Sequence, residues 1–146
     1  MSDFITGMRI AGAGMSAERT RLNVVSSNLA NASTTRTPEG GPYKRKEVVM
    51  RAEPLPESFQ DLIGKPLGDT AQAVAVDKVI QDTSPPRKIY DPDHPDADPA
   101  GYVSYPNVQV MEEMVNMMTA TRSYNACATV IENLKAMAKK ALDLMR

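Results

Sequence analysis

From Asn107 to Met145 the chain contains neither glycine nor proline, and apolar residues recur through that stretch at alternating steps of three and four. They read Met117, Ala120, Tyr124, Cys127, Ile131, Leu134, Ala138, Ala141 and Met145. Such spacing keeps side chains on one face of an α-helix. Val130, Met137 and Leu144 widen the stripe on one flank. The pattern predicts one helix of about 38 residues, roughly 57 Å long. A helix of that length is out of proportion to a chain of 146 residues. The remaining residues cannot bury it, so its seam must meet a helix at the other end of the chain, other copies, or both.

The amino-terminal end offers a matching seam. Phe4, Met8, Ala11, Met15, Glu18, Leu22, Val25 and Leu29 follow the same heptad-like spacing, and only Glu18 interrupts it. This predicts a helix over Phe4–Ala30. Gly7, Gly12 and Gly14 each weaken a helix interior by about 1 kcal/mol relative to alanine. The first turns are therefore expected to be soft and to need partners.

All eleven prolines fall between Pro38 and Pro106. That divides the chain into an N-terminal helix (1–36), a strand-and-loop insert (37–106) and a C-terminal helix (107–146). Within the insert, Glu47–Ala52 and Ala73–Asp82 have strand-like content, with Val74 and Val76 alternating. The following stretch, SPPRKIYDPDHPDADPAGYVSYP, is expected to lack regular structure over most of its length, because Pro and Asp break it.

Little in the sequence supports chemistry. The single histidine, His94, lies among Asp91, Asp93, Asp96 and Asp98, but their spacing fails an EF-hand: a loop starting at Asp96 has Ala100 at its fifth position and Asn107 where the bidentate Glu belongs, and one starting at Asp91 has Asp96 where Gly is needed. Asx and proline turns explain that run. Cys127 lies on the apolar seam, far in sequence from the only histidine that could activate it, and reads as a small packed residue. One cysteine also excludes an intramolecular disulfide framework. No phosphate loop, nucleophile set or metal spacing is present. The expectation is a protein without catalysis, cofactor or metal.

With 17 basic against 18 acidic residues, the net charge of -1 supplies no positive field for nucleic acid or an anionic membrane. Lys44, Arg45 and Lys46 then read as a solvated loop or salt-bridge donors, and Glu112 and Glu113 as acids meeting the dipole of a helix start. No apolar run approaches the roughly 20 residues that span a bilayer. The start, MSDFITGMRIAGAGM, has no basic n-region of a secretory signal, which by itself reads as cytoplasmic. Ten Met, two Phe and no Trp predict a core of adaptable thioether side chains.

The stretch SSNLANASTTRTPEGGPYKRK, where the first seam ends, has more side-chain donors and acceptors than a helix end requires. Asn28 and Asn31, three apart, share a face beside Val25 and Leu29. Buried amides must be hydrogen-bonded, and a buried Asn can set register. Thr34, Thr35, Arg36 and Thr37 add further donors. The stretch is either a helix ending or a register-setting joint, and the surplus favours the joint.

These residues carry a resemblance. NVVSSNLANASTTRTPEGGPYKRKEVV resembles the N-terminal signature of the axial proteins of the bacterial flagellum, with Asn28–Thr34 as the shared Asn-x-x-Asn-Ala-x-Thr element. The segment from SPPRKIYDPDHPDADPAGYVSYP through the long helix is similar to the C-terminal half of that family's proximal-rod members. The resemblance implies a mainly α fold, with two long terminal helices packed as an antiparallel, coiled-coil-like pair around a small strand-and-loop insert. It implies a structural rod subunit, exported unfolded without a cleavable signal and polymerising into the torque-transmitting shaft that crosses the periplasm.

The implied partners are copies of itself, other rod subunits, the adaptor to the membrane ring and the type III export apparatus. The implied assembly surface is Met8, Met15, Leu22, Val25, Asn28, Leu29, Asn31, Met117, Tyr124, Cys127, Ile131, Leu134 and Met145. Phe59 and Ile63 in FQDLI match a Phe-x-x-x-apolar export pattern, but so short a pattern arises often by chance, and core packing of Phe59, Leu62 and Ile63 is the favoured reading. Cys127 and Ser33 depart from the residues usual in the family. The rival reading is a soluble helical adaptor or export chaperone that binds one partner through the same seams.

Overall fold

The computed structural model describes residues 2–55 and 71–144. Phe59, Ile63 and Met145, singled out above, lie outside them. Helix α1 spans Ser2–Ala30 and helix α2 spans Val110–Leu144, close to the limits that the apolar spacing predicts. Between them lie β1 (Lys46–Pro54), β2 (Gln72–Gln81), β3 (Arg87–Tyr90) and β4 (Tyr102–Tyr105). The two helices pack against each other, and α1 also packs against the β1–β2 ribbon.

Small residues set the helix contact. Gly7 faces Leu134, whose Cδ1 would lie 3.5 Å from an added Cβ, and Gly14 faces Cys127 Sγ at 3.0 Å by the same measure. These two glycines therefore serve close approach as well as softness. Gly12, with no neighbour in reach, keeps only the helix penalty. Around them the buried apolar residues are Ala11, Ala17 and Val25 of α1, Ala120 of α2 and Ala73 of β2. Glu18, the break in the first seam, has its side chain mostly covered and stands 3.9 Å from Arg21.

The methionine-rich core expected from composition is not what forms. Met111, Met114, Met118 and Met137 are exposed, and Met8, Met15, Met50 and Met117 are half-buried. Close helix approach leaves room in the interface for Ala and Val. The long thioether chains are left at its margins.

β1 and β2 pair antiparallel from Lys46↔Gln81 to Pro54↔Gln72, with a register shift between Val49 and Met50. A two-stranded ribbon is marginal alone, and packing on α1 supports this one. The stretch after β2 is irregular over most of its length, as expected, but its two flanks pair. Arg87–Tyr90 and Tyr102–Tyr105 form a second antiparallel ribbon, with Tyr90 and Tyr102 rings edge-to-face at 5.4 Å. The prolines and aspartates are concentrated in the connection, so the flanking tyrosine, isoleucine and valine residues are free to pair.

That connection is laced with turns. Asp98 Oδ1 accepts from the Ala100 and Tyr102 amides, and Gly101 adopts φ +82 beneath the Tyr90 ring. Only glycine suits that site, because a Cβ would come within 2.8 Å of Tyr90 Cε2. β4 buries Val103, and the chain then buries Pro106 and Val108 before it enters α2.

Candidate functional site: the joint at the helix ends

α1 ends within the donor-rich stretch. The Asn31 side chain closes the helix locally, donating to the Ser27 carbonyl at 2.9 Å and accepting from Thr34 Oγ1 at 3.2 Å. The chain then turns through Gly40 and Gly41, at φ +89 and +77, where the Gly40 amide donates to the Thr37 carbonyl and the Thr37 amide to Gly41. This reversal returns Tyr43, Arg45 and Lys46 to the last turns of α1.

Asn28 receives them, and it is fully buried. Its Nδ2 donates to the Lys46 carbonyl at 2.8 Å and to Glu113 Oε2 at 3.1 Å. Its Oδ1 accepts from the Lys46 amide at 2.9 Å and from Tyr43 Oη at 3.0 Å. Two donors and two acceptors are the whole capacity of a carboxamide, and all are used. Ser27 Oγ, 3.2 Å from Tyr43 Oη, extends the network. Asn28 therefore joins α1, the start of β1 and the first turn of α2. The two asparagines grouped together in the sequence divide the labour: Asn28 spans three elements, whereas Asn31 bonds within its own helix end.

Glu113 completes the joint. It is fully buried and accepts from Arg45 Nε at 2.8 Å, while Arg45 also stands 3.7 Å from Glu47. Burial pulls the Arg45 pKa down, but the hydrogen bond and charge of Glu113, with smaller contributions from Glu47 and Asp82, outweigh it and raise it. Glu113 stands in the first turn of α2, where an acid meets the helix dipole, but it is enclosed by the fold, and of the two readings of Lys44, Arg45 and Lys46 the salt-bridge donor holds at Arg45. A buried carboxylate requires a hydrogen-bonded partner, and Arg45 with Asn28 supplies it. The signal was present: extending the seam spacing back from Met117 by four lands on Glu113. Beside the joint lies a cavity of about 300 Å³, walled by Val24, Val48 and Met50 and floored by Asn28 and Glu113.

A second tie fastens the loop between β3 and β4 to the same stretch. Thr35 Oγ1 donates to Asp96 Oδ2 at 2.8 Å, and Arg36 stands 3.8 Å from Asp96. His94 accepts the Asp96 amide on Nδ1 at 3.1 Å and lies edge-on to Tyr105. Its role is to close a turn. Among the described residues no cluster of His, Cys, Asp or Glu is placed to hold a metal ion, and no helix is long and apolar enough to cross a membrane.

Of the other seam residues, Val25 is buried, whereas Met8, Met15, Leu22, Leu29, Met117, Tyr124, Cys127, Ile131 and Leu134 are half-buried. The side of α2 away from α1 carries exposed Met111, Met114, Val115 and Met118, which the sequence reading did not single out.

Comparison with known proteins gives this architecture a family. Residues 8–36 match the family model described as flagella basal body rod protein, and residues 100–144 match flagellar basal body rod FlgEFG protein C-terminal. The chain is 38% identical to flagellar basal-body rod protein FlgC of Borreliella burgdorferi over 97% of both chains. It is 42% identical to FlgC of Salmonella typhimurium over 92% of both. Against FlgC of Bacillus subtilis the identity is 38%, over 94% of this chain and 95% of the relative. It is a structural subunit, not an enzyme, and its place is the flagellar basal body. The chain belongs to the FlgC family of flagellar basal-body rod proteins.

Proposed function

We propose that this chain is a proximal-rod subunit that polymerises through its terminal helices, with residues 1–36 and 107–146 forming an inner layer and residues 37–106 an insert against neighbours. In this reading the helices run antiparallel as a coiled-coil-like pair. The facing of Gly7 to Leu134, Gly14 to Cys127 and Asn28 to Glu113 supports that orientation, since later residues of α1 meet earlier residues of α2. The assembly surface comprises the seam residues, from Met8 to Leu29 on α1 and from Met117 to Leu134 on α2, together with Met145 of the sequence seam.

The observation that carries the proposal is the incomplete cover of the seam. Most of its large side chains are only half-buried by the chain's own fold. A subunit with so little apolar burial has little to offset the entropy of ordering both ends. The soft start of α1 and the end of α2 then fold as the subunit joins the growing tip. That behaviour suits passage, unfolded, through the type III export apparatus, with Phe59 and Ile63 as the candidate export signal. Partners are copies of the chain, other rod subunits and the adaptor to the membrane ring, and the assembled helices transmit torque across the periplasm.

The test is fractionation. Recovery of the chain with detergent-resistant basal bodies is expected. A stable cytoplasmic complex with one partner, and none in basal bodies, would instead indicate a helical adaptor or export chaperone.

A further inference from the structure

The contact between the helices stops short of the end of α2. With Gly7 facing Leu134, α1 begins only five residues earlier, at Ser2. Among the described residues it has nothing to set against the last turn of α2. That turn nonetheless exposes two leucines, on either side of Asp143. Leu142 is 68% exposed and Leu144 88%, and with Ala141 they prolong the seam and its flank. Lys139 and Lys140 flank it, exposed and in no ion pair among the described residues.

At the other end of α2 lies a surface of matching character. Met111, Met114, Val115 and Met118 follow i, i+3, i+4, i+7 spacing on the side away from α1 and are half to three-quarters exposed. Met111 and Val115, with Glu112 and Asn116, line an open recess of about 370 Å³. Glu112 beside them is exposed and likewise unpaired among the described residues.

The two surfaces cannot meet within one molecule, because a straight helix holds Met114 and Leu142 about 42 Å apart. We propose that the last turn of α2 in one copy docks on the Met111–Met118 face of the next. The tail continues the seam already used between α1 and α2, so it presents the same kind of apolar ridge to a new partner. Lys139 and Lys140 beside the tail complement Glu112 beside the receiving face. A contact between unlike ends of the same chain is heterologous and leaves both ends of a stack open, as a growing shaft requires. The inference rests on the polymerising, antiparallel reading above and adds which surfaces meet.

The test uses the full chain with Cys127→Ser, carrying Met114→Cys and Leu142→Cys together or singly, under mild oxidation in basal bodies and as concentrated purified protein. The double variant should give a ladder of disulfide-linked multimers, since its two cysteines are too far apart to close within one chain. Each single variant should stay monomeric. Adding Met118→Asp to the double variant should abolish the ladder.

Basal bodies that contain the double variant but give no ladder would overturn the docking while leaving the rod reading intact. So would dimers from a single variant, which signify a symmetric contact, or a cross-link to a different rod subunit. If the double variant fails to enter basal bodies, absence of the ladder in purified protein overturns it. Absence of the unsubstituted chain from basal bodies counts instead against the rod reading.

Discussion

Asn28 and Lys46 exchange two hydrogen bonds, one in each direction. The carboxamide donates to the Lys46 carbonyl at 2.8 Å and accepts from the Lys46 amide at 2.9 Å. A side chain on α1 thus treats the first residue of β1 as a neighbouring strand would. The remaining amide hydrogen and oxygen lone pair reach Glu113 and Tyr43. Both directions require a carboxamide, since a carboxylate lacks the donors and an aliphatic side chain lacks both.

Asn28→Ala should therefore strand several buried groups and destabilise the chain by about 2–3 kcal/mol. Asn28→Asp should be at least as harmful, because it places a carboxylate against Glu113. Asn31→Ala, which removes bonds within one partly exposed helix end, should cost about 1 kcal/mol or less. Urea unfolding of the three variants checks the order. Equal losses at Asn28 and Asn31 would show that the joint is no more than a cap.

Removing one partner of the buried pair should cost about 3–5 kcal/mol in either Glu113→Ala or Arg45→Met, because a charge is left uncompensated. The double substitution Arg45→Met with Glu113→Leu should cost less than either single change. A double-mutant cycle by chemical denaturation measures the coupling. Additive losses would mean that the pair is not the unit described here.

The glycines of α1 should respond differently to alanine. Gly12→Ala has open space around it and should add helix stability of about 1 kcal/mol. At Gly14 the added methyl meets Cys127 Sγ at 3.0 Å, so crowding should offset that gain. Circular dichroism of the isolated chain gives the readout. The unsubstituted protein should show fewer helical residues than the 29 and 35 of α1 and α2, and Gly12→Ala should raise the figure. Full helicity with sharp melting in the unsubstituted monomer would contradict folding on assembly.

Leu134 faces Gly7 and is half-buried. Leu134→Asp puts a charge into the seam and should abolish rod assembly and motility while leaving the amount of protein synthesised nearly unchanged. Swimming in soft agar and recovery of basal bodies are the measurements. Retained motility would show that the seam is wrongly assigned.

Both helices could be read from sequence because their evidence is local. Spacing of three and four through Leu22, Leu134 and their neighbours is a property of consecutive residues, as is the strand content around Val48 and Val76. The short β3–β4 ribbon was obscured because Asp and Pro dominate its connection, and four-residue strands give little periodicity. The methionines misled for a different reason: composition shows which side chains are present, while the spacing between two helices decides which of them fit inside.

Taken alone, the sequence determined the two long helices, the insert between them, the surplus of polar groups at Asn28 and the resemblance to flagellar axial proteins. It did so because each rests on neighbouring residues or on a contiguous motif. Only the tertiary structure decided what Asn28 and Glu113 do. They are separated by 85 positions, and whether a carboxylate is solvated or buried depends on where the chain returns. Here the reversal at Gly40 and Gly41 brings Arg45 and Lys46 back to α1, and the start of α2 closes over them. An acid that alone would only favour a helix start becomes, once enclosed, the charge that fastens both ends of the molecule.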